Sequence, residues 1–216
     1  LKKMQKTDDD KKKVSIIEKA IQLISDEKKI LGNLDKEEIN YLNTYQLIST
    51  KPVVYICNVD ENSALSGNEF TKKIDTYAKE NNSEVLLISA KIESEISQIT
   101  DFKDKQDFLE SMGLRETGLK RVIKKGYEIL NYINYFTAGE KELRAWTITK
   151  GTLAPSAAGT IHSDMEKGFI RAETISFNDY LSHQGEAGAK EKGKLRLEGK
   201  EYEVKDGDIM HFLFNV

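Results

Sequence analysis

The chain has 216 residues, of which 38% are hydrophobic and 32% are charged, and its net charge is −3. This length allows one large domain or two small ones, the 2 prolines exclude a collagen-like or proline-rich chain, and no apolar run approaches the ~20 residues of a membrane span. The single cysteine, Cys57, excludes an internal disulfide and is typical of a reducing compartment, so we expect a cytoplasmic protein with no membrane partner.

The first 33 residues predict part of a helical coiled-coil hairpin. A helix is expected over 8–31, with aspartates in its first turn, where negative charge suits the helix dipole, and with Gly32 at its end. Apolar residues at three- and four-residue spacing predict a seam along this helix: Val14, Ile17, Ile21, Ile24 and Leu31. Residues 1–6 are expected to end a preceding antiparallel helix. A start at Leu1 rather than Met suggests a fragment of a longer protein.

Residues 34–131 alternate between predicted helices and strands. Asp35 is expected to cap a short helix whose inward residues are Leu42, Tyr45 and Leu47. Apolar runs predict two buried strands, at 53–57 and 85–88. Further helices are predicted at 69–80 and at roughly 92–99, 104–112 and 117–130. Strand, helix, strand order predicts parallel neighbours, so we expect the last part of an α/β domain here.

From Tyr132 onward, shorter elements predict a small α+β domain over 132–216. Helices are expected at 155–161 and 178–189. Strands are expected at 143–148, 169–175, 195–197, 201–204 and 209–214. These elements predict a mixed sheet crossed by one main helix.

The residues that follow the two α/β strands indicate a purine site, at the strand ends where α/β proteins bind ligands. Asn58-Val59-Asp60-Glu61 follows the first strand and Ser89-Ala90 follows the second. In Ras-type GTPases, the Asp of an N-K-x-D motif reads guanine, and the second loop offers a backbone N–H to the guanine oxygen. Here Val replaces Lys, and Glu, one methylene longer, replaces Asp, which predicts a weakened guanine preference. The alternative is that these residues form only a turn and a helix cap.

No phosphate loop accompanies this base motif in the sequence. The near match to G-x-x-x-x-G-K-[ST] that runs from Gly188 to Leu195 ends in a residue that cannot bind Mg²⁺ and leads into a strand. We predict a helix end and a turn there. His162, His183 and His211 are too widely spaced to indicate zinc, so no catalytic residue, metal site or cofactor is expected in this chain.

Clusters of basic residues suggest a second kind of ligand, the phosphates of RNA. The basic candidates are Lys11, Lys12, Lys13, Lys19 and Lys29 on the first helix, Arg121, Lys124 and Lys125 on the helix near 117–130, and Arg144, Lys167 and Arg171 beside Trp146 and Phe169. Leu119 and Ile123 are expected to pack the second of these helices. The alternative is a solvated charged surface with the aromatic residues in the core.

Four segments in this order resemble the YchF / Obg-like ATPase family, which are P-loop NTPases of the translation-factor class. They are Tyr135–Ile148 (YFTAGEKELRAWTI), Ala157–His162 (AAGTIH), Glu166–Ala172 (EKGFIRA) and Lys205–Val216 (KDGDIMHFLFNV). The resemblance covers essentially the whole chain, and N-x-x-E at Asn58–Glu61 is the family's own variant of the guanine motif.

The resemblance implies a fold and an activity. The fold is a partial P-loop NTPase α/β domain with a helical hairpin, followed by a TGS domain, a ubiquitin-like β-grasp module. The activity is hydrolysis of ATP in preference to GTP, with Asn58 at the purine edge, the Val59 backbone at the adenine amine, and Ser89 and Ala90 lining the same pocket. The family's phosphate loop, Mg²⁺ ligands and catalytic histidine have no matching positions, so Mg²⁺ and ATP belong to the intact parent and this chain alone is expected to be inactive.

The resemblance also implies association with the ribosome, at the large subunit, through the hairpin and the TGS domain. A competing interpretation is an RNA- or ribosome-binding module that acts without nucleotide. A second is a TGS-bearing fragment of a tRNA or alarmone synthetase, which the N-x-x-E loop upstream disfavours.

Overall fold

The computed structural model describes residues 7–139 and 142–215, so the helix end expected at residues 1–6 lies outside the described residues. The chain divides into two compact units, 1–123 and 124–216, which are described separately. No helix among the described residues is long and apolar enough to cross a membrane.

The first unit is built from helices around a short parallel sheet. Its helices are α1 (Asp8–Ser25), α2 (Lys36–Asn43), α3 (Glu69–Glu80), α4 (Ala90–Gln98), α5 (Phe102–Ser111) and α6 (Gly118–Ile129), the last of which runs on into the second unit. Its strands are β1 (Val54–Asn58) and β2 (Glu84–Ile88). They pair in parallel with Asn58 opposite Ile88, which confirms the predicted strand, helix, strand arrangement.

The first helix is shorter than predicted, and its buried face differs. Thr7 and Asp10 form a capping box at its start, but the helix ends at Ser25 and Glu27 takes a positive φ of 57°. The chain then turns back, so that Ile30 joins a buried cluster with Ile16, Ala20 and Leu42. The predicted seam is therefore wrong in its second half, since Ile21 and Ile24 are exposed.

In the α/β part, the helices and strands lie close to their predicted positions, but several residues predicted to be buried are exposed. The bounds of α3 are as predicted, and α4, α5 and α6 lie close to their expected positions. Ile56 in β1 is 48% exposed, because β1 has one strand neighbour among the described residues. Buried residues of α4 and α5 form a second cluster, which includes Ile92, Ile96 and Leu109. Leu119 and Ile123 of α6 and Tyr45 after α2 are exposed, so the packing predicted for them is wrong.

The second unit contains a five-stranded mixed sheet. Its strands are β3 (Tyr132–Ala138), β4 (Leu143–Thr149), β5 (Phe169–Ser176), β6 (Arg196–Glu198) and β7 (Asp208–Phe214), in the order β4-β3-β7-β5-β6. β3 and β7 are parallel, and the other pairs are antiparallel. The helices are α7 (Ala154–Ile161), α8 (Ser163–Lys167), α9 (Phe177–Ser182) and α10 (Glu186–Glu191).

The core of this unit lies between the sheet and α7. Ala157 and Ala158 of α7 are fully buried against Tyr135, Phe169 and Phe212. Small residues let the helix approach the sheet closely, and the Tyr135 hydroxyl donates to the Ala157 carbonyl at 2.9 Å. Desolvation raises the pKa of Tyr135 to about 12, so this hydroxyl stays a donor at neutral pH.

Two predictions for this unit are wrong and one strand was missed. The helix expected over 178–189 is two helices, because Gln184 and Gly185 both take positive φ. The strand expected over 201–204 is a loop with a single bridge at Glu203. Asp208 holds this loop by accepting from the Tyr202 hydroxyl at 2.8 Å and the backbone N–H of Lys205 at 2.9 Å. Strand β3 had no counterpart among the predicted elements.

Candidate functional site

The candidate base site lies at the carboxyl ends of β1 and β2. Because the strands are parallel neighbours, the loops that follow them begin side by side. The Val59 N–H donates to the Ile88 carbonyl at 2.8 Å, which extends the pairing one residue beyond β1. The loop of Asn58 is therefore fixed against the loop of Ser89 and Ala90.

A side-chain hydrogen bond ties these two loops together. The Ala90 N–H donates to Asn58 Oδ1 at 3.0 Å. Ala90 opens α4, and its N–H is one of the donors that a helix leaves without an internal partner. Asn58 thus acts as a cap from a neighbouring strand, and the backbone N–H expected at the purine oxygen is engaged by Asn58 in this structure.

Glu61 faces the same pair of loops through an ion pair. Lys91 Nζ lies 2.9 Å from Glu61 Oε1, so the first turn of α4 is joined to the N-x-x-E loop a second time. The hydrogen bond and charge of Glu61 raise the pKa of Lys91, which keeps the ammonium protonated at neutral pH.

The other two polar residues of these loops differ in their bonding. Asp60 Oδ1 accepts from the Ser63 N–H at 2.9 Å, and hydrogen bonds from Ser63 lower the pKa of Asp60. Asp60 is thus a turn-forming residue, as the alternative interpretation of this loop expects. Ser89 is 4% exposed, and its hydroxyl has no hydrogen-bond partner among the described residues. A ligand or a water molecule beside the site would satisfy the hydrogen-bonding capacity of this buried hydroxyl.

The near match to a phosphate loop follows a helix and leads into a strand, whereas a phosphate loop follows a strand and opens a helix. The segment from Gly188 to Leu195 lies in the second unit. It forms the end of α10 and a turn in which Gly193 has a φ of +67°, so the predicted helix end and turn are confirmed. The described residues contain no group of three or more His, Cys, Asp or Glu that could hold a metal ion.

The five candidate lysines predicted for the first helix are held in ion pairs and hydrogen bonds, although Lys29 lies beyond the end of α1. Lys11, Lys12 and Lys13 pair with Asp8, Glu37 and Asp9. Lys19 lies 2.5 Å from Glu38, and Lys29 donates to Ser83 Oγ at 2.9 Å. The first three pairs are exposed and therefore cost little to open, whereas Lys19 and Lys29 connect elements of the fold.

The basic residues of α6 have separate roles. Arg121 donates to the Leu87 carbonyl at 2.8 Å, so its guanidinium is anchored to β2. Lys125 lies 2.5 Å from Glu128, with its side chain 17% exposed, and Lys124 is exposed.

The basic residues of the second unit do not share one face. The Arg144 guanidinium stacks on Trp146 at 4.1 Å from the ring centroid, on the side of the sheet that packs the core. Arg171 precedes the buried Ala172 in β5 and therefore points to the opposite side. Lys167 is exposed at the end of α8. Phe169 is buried, as the core alternative expects.

Two residues near the candidate site were missed by sequence reasoning. Lys91 is one, and its charge opposite to Glu61 on an adjacent loop was the available signal. Glu93 is the other, since its carboxylate accepts from the N–H groups of Gly118 at 2.6 Å and Leu119 at 3.2 Å. It caps α6 from α4, a contact that no local motif announces.

Comparison with known proteins places the chain in a family. Residues 132–215 match the family model described as YchF-GTPase_C, a protein of unknown function (DUF933). A protein of Haemophilus ducreyi called "Ribosome-binding ATPase YchF" is 46% identical over 209 residues, which are 96% of this chain and 57% of that protein. A Bacillus subtilis protein of the same name is 51% identical over 183 residues, 84% of this chain and 50% of its own length.

Solved structures agree with this result. The structure of the Schizosaccharomyces pombe YchF GTPase matches with a TM-score of 0.82 at 33% identity and covers 94% of this chain and 55% of its own. A GTP-binding protein from Pyrococcus horikoshii matches with a TM-score of 0.55 at 18% identity, which speaks for the fold alone. The chain spans about half the length of the curated relatives it matches, and by its sequence and its mixed α/β structure it belongs to the YchF family.

Proposed function

We propose that this chain carries the base-reading half of the nucleotide site of a YchF ATPase, and that the intact protein prefers ATP to GTP. The observation that carries the proposal is the bond between Asn58 and Ala90, which joins the two loops that would flank a purine. Asn58 retains its side-chain Nδ2 group for the purine edge, since this group has no acceptor among the described residues. The backbone of Val59 meets the adenine amine, and Ser89 lines the same pocket.

The two units correspond, in this proposal, to parts of two domains. Residues 34–131 form the C-terminal part of a P-loop NTPase domain, and residues 1–33 form part of a coiled-coil hairpin. The parallel pair of β1 and β2 with α3 between them supports this. Residues 132–216 form a TGS domain of the β-grasp type. The mixed sheet that packs around α7 supports that assignment.

Hydrolysis is assigned to the intact protein only. The described residues contain no group of three or more His, Cys, Asp or Glu that could hold a metal ion, so they do not fit Mg²⁺. We expect the 216-residue chain by itself to release no phosphate from ATP above the buffer rate. Turnover that copurifies with this chain through several columns would contradict the proposal.

The test of base reading restores the guanine motif in the intact protein. Val59→Lys with Glu61→Asp recreates N-K-x-D, and we expect preference to shift toward GTP by roughly 1–3 kcal/mol, the range of one specific polar contact. Equilibrium binding of both nucleotides measures the shift. Glu69→Asp, the same change at the exposed start of α3, serves as the control. An unchanged ATP-to-GTP affinity ratio in the double variant would show that these residues do not face the base.

Ribosome association is the second part of the proposal. The names of the bacterial relatives support it. We assign the ribosomal side of the contact to the large subunit, and the protein side to exposed lysines of α1 and to the TGS domain. Association with the ribosome would place the protein in the cytoplasm. The competing function, an RNA- or ribosome-binding module without nucleotide, predicts the same binding whether or not ATP is present.

A further inference from the structure

The ion pair between Lys91 and Glu61 joins the two loops of the candidate base site. Lys91 lies in the first turn of α4, directly after Ala90, and its Nζ is 2.9 Å from Glu61 Oε1. We propose that Lys91 is a positioning residue that holds the Glu61 carboxylate against α4 and thereby sets the purine preference. This inference rests on the proposed function, because it concerns the same pocket.

The chemistry of the two purines gives the direction of the effect. Guanine presents its N1–H and its exocyclic amine as donors, and an ionised carboxylate is a pure acceptor. Adenine presents a bare N1 lone pair at the equivalent position, which a free carboxylate would repel. The ion pair with Lys91 engages Glu61 Oε1 and offsets the negative charge of the carboxylate, which weakens both its acceptance from guanine and its repulsion of the adenine N1, so the pair favours ATP.

The position of Lys91 makes it suited to this role. Asn58 already fixes the start of α4 through the Ala90 N–H at 3.0 Å, so the backbone that carries Lys91 is held against the N-x-x-E loop. Glu61 is the more enclosed partner, with a side chain 34% exposed against 67% for Lys91. The Lys91 side chain therefore stays largely in solvent while its Nζ reaches the carboxylate.

The experiment removes the cation in the intact protein and measures binding of ATP and GTP. Lys91→Met keeps the length of the side chain, and we expect the ATP-to-GTP affinity ratio to fall about two- to fivefold, the scale of an exposed ion pair. Lys91→Arg should keep the wild-type ratio because it keeps the pair. Lys79→Met breaks a somewhat more exposed pair with Asp75 on α3 and should leave the ATP-to-GTP affinity ratio unchanged. A Lys91→Met ratio equal to that of Lys79→Met overturns the inference.

A double-mutant cycle tests whether Lys91 acts through Glu61. In a Glu61→Gln background the effect of Lys91→Met should vanish, and a full effect in that background overturns the positioning role. Asn58→Ala separates this inference from the proposed function. If Asn58→Ala and Glu61→Gln both leave binding of either nucleotide unchanged, the base site itself is wrong. If Asn58→Ala weakens ATP binding while Lys91→Met leaves the ATP-to-GTP affinity ratio unchanged, this inference alone fails.

Discussion

Glu38 shows how one side chain can serve as both a cap and an anchor. It belongs to a capping box with Asp35 at the start of α2, and it pairs with Lys19 of α1 at 2.5 Å. The hydrogen bond from Lys19 and that from the Asp35 backbone lower the pKa of Glu38. Its charge therefore contributes to stability above its ordinary pKa, and this contribution is lost as the pH falls through the lowered value in the folded chain.

We expect Glu38→Gln to remove this acid-sensitive contribution. Glutamine preserves the cap but not the charge, so the variant should be less stable than wild type at pH 7. The difference should shrink as the pH is lowered from the ordinary pKa near 4.5 toward 3. Urea midpoints followed by circular dichroism at several pH values measure it. Glu37→Gln makes the same change at the exposed neighbour that pairs with Lys12 and serves as the matched control. A difference for Glu38→Gln that does not change with pH would contradict the assignment.

At the candidate site, the sequence predicted that the two loops lie close together, but it did not predict which side chains bond to one another. The parallel order of two strands was enough to bring Asn58 and Ala90 together, because it follows from a general rule of connection. It did not indicate that Asn58 would bond the Ala90 N–H, nor that Lys91 would pair with Glu61. Those contacts depend on loop paths over about thirty residues of separation, which no periodic pattern encodes.

At the scale of the elements, the pairing of β5 with β7 ends at Gly168, where the lack of a side chain lets Asn215 approach closely. Gly168 precedes β5, and its carbonyl accepts from the Asn215 N–H at 2.9 Å. A Cβ at Gly168 would collide with the backbone carbonyl oxygen of Asn215. The backbone there cannot yield without parting the strands.

Gly168→Ala is therefore expected to destabilise the chain by about 1–3 kcal/mol, the range of an overpacked site. Thermal unfolding by calorimetry gives the measurement. Gly199→Ala provides the matched control, since a Cβ there meets no atom within 4 Å. Equal melting temperatures for the two variants would mean that Gly168 does not limit the packing.

Elements with strong periodicity or clear caps were predictable, and those fixed by tertiary contacts were not. Helix α3 has Asn68 as its cap and the predicted bounds. The loop at 201–204 has the composition of a strand, but Asp208 draws Tyr202 and Lys205 into a turn instead. Helix α1 was predicted too long because its apolar spacing continues past Ser25. The chain turns after Ser25 instead, and this turn buries Ile30 in the cluster with Ile16 and Leu42.

For the whole molecule, the net charge of −3 says little about the electrostatic field at any one surface, because basic and acidic side chains lie close together. Lys11, Lys12 and Lys13 are paired with acids, yet these pairs are exposed and cost little to open. Arg121 is different, since its bond to Leu87 makes it part of the fold. Charge reversal at Arg121 would disturb packing as well as binding.

We expect reversal of the three α1 lysines to weaken ribosome association. Lys11→Glu, Lys12→Glu and Lys13→Glu together should lower co-sedimentation and flatten its salt dependence, by roughly 1 in slope for each lost phosphate contact. A matched triple at Lys72, Lys73 and Lys79 of α3 makes the same charge change elsewhere. Circular dichroism verifies that both variants are folded. Equal losses for the two triples would contradict a local contact on α1.

The bond from Ala90 to Asn58 has a consequence for how nucleotide choice can evolve in such proteins. The bond itself does not involve Glu61, so a change at Glu61 leaves this link between the two loops intact. Glutamate and aspartate codons differ only at the wobble base. A single-base change that gives Glu61→Asp would therefore alter the side chain that we propose to face the purine, while the bond from Ala90 to Asn58 stays in place.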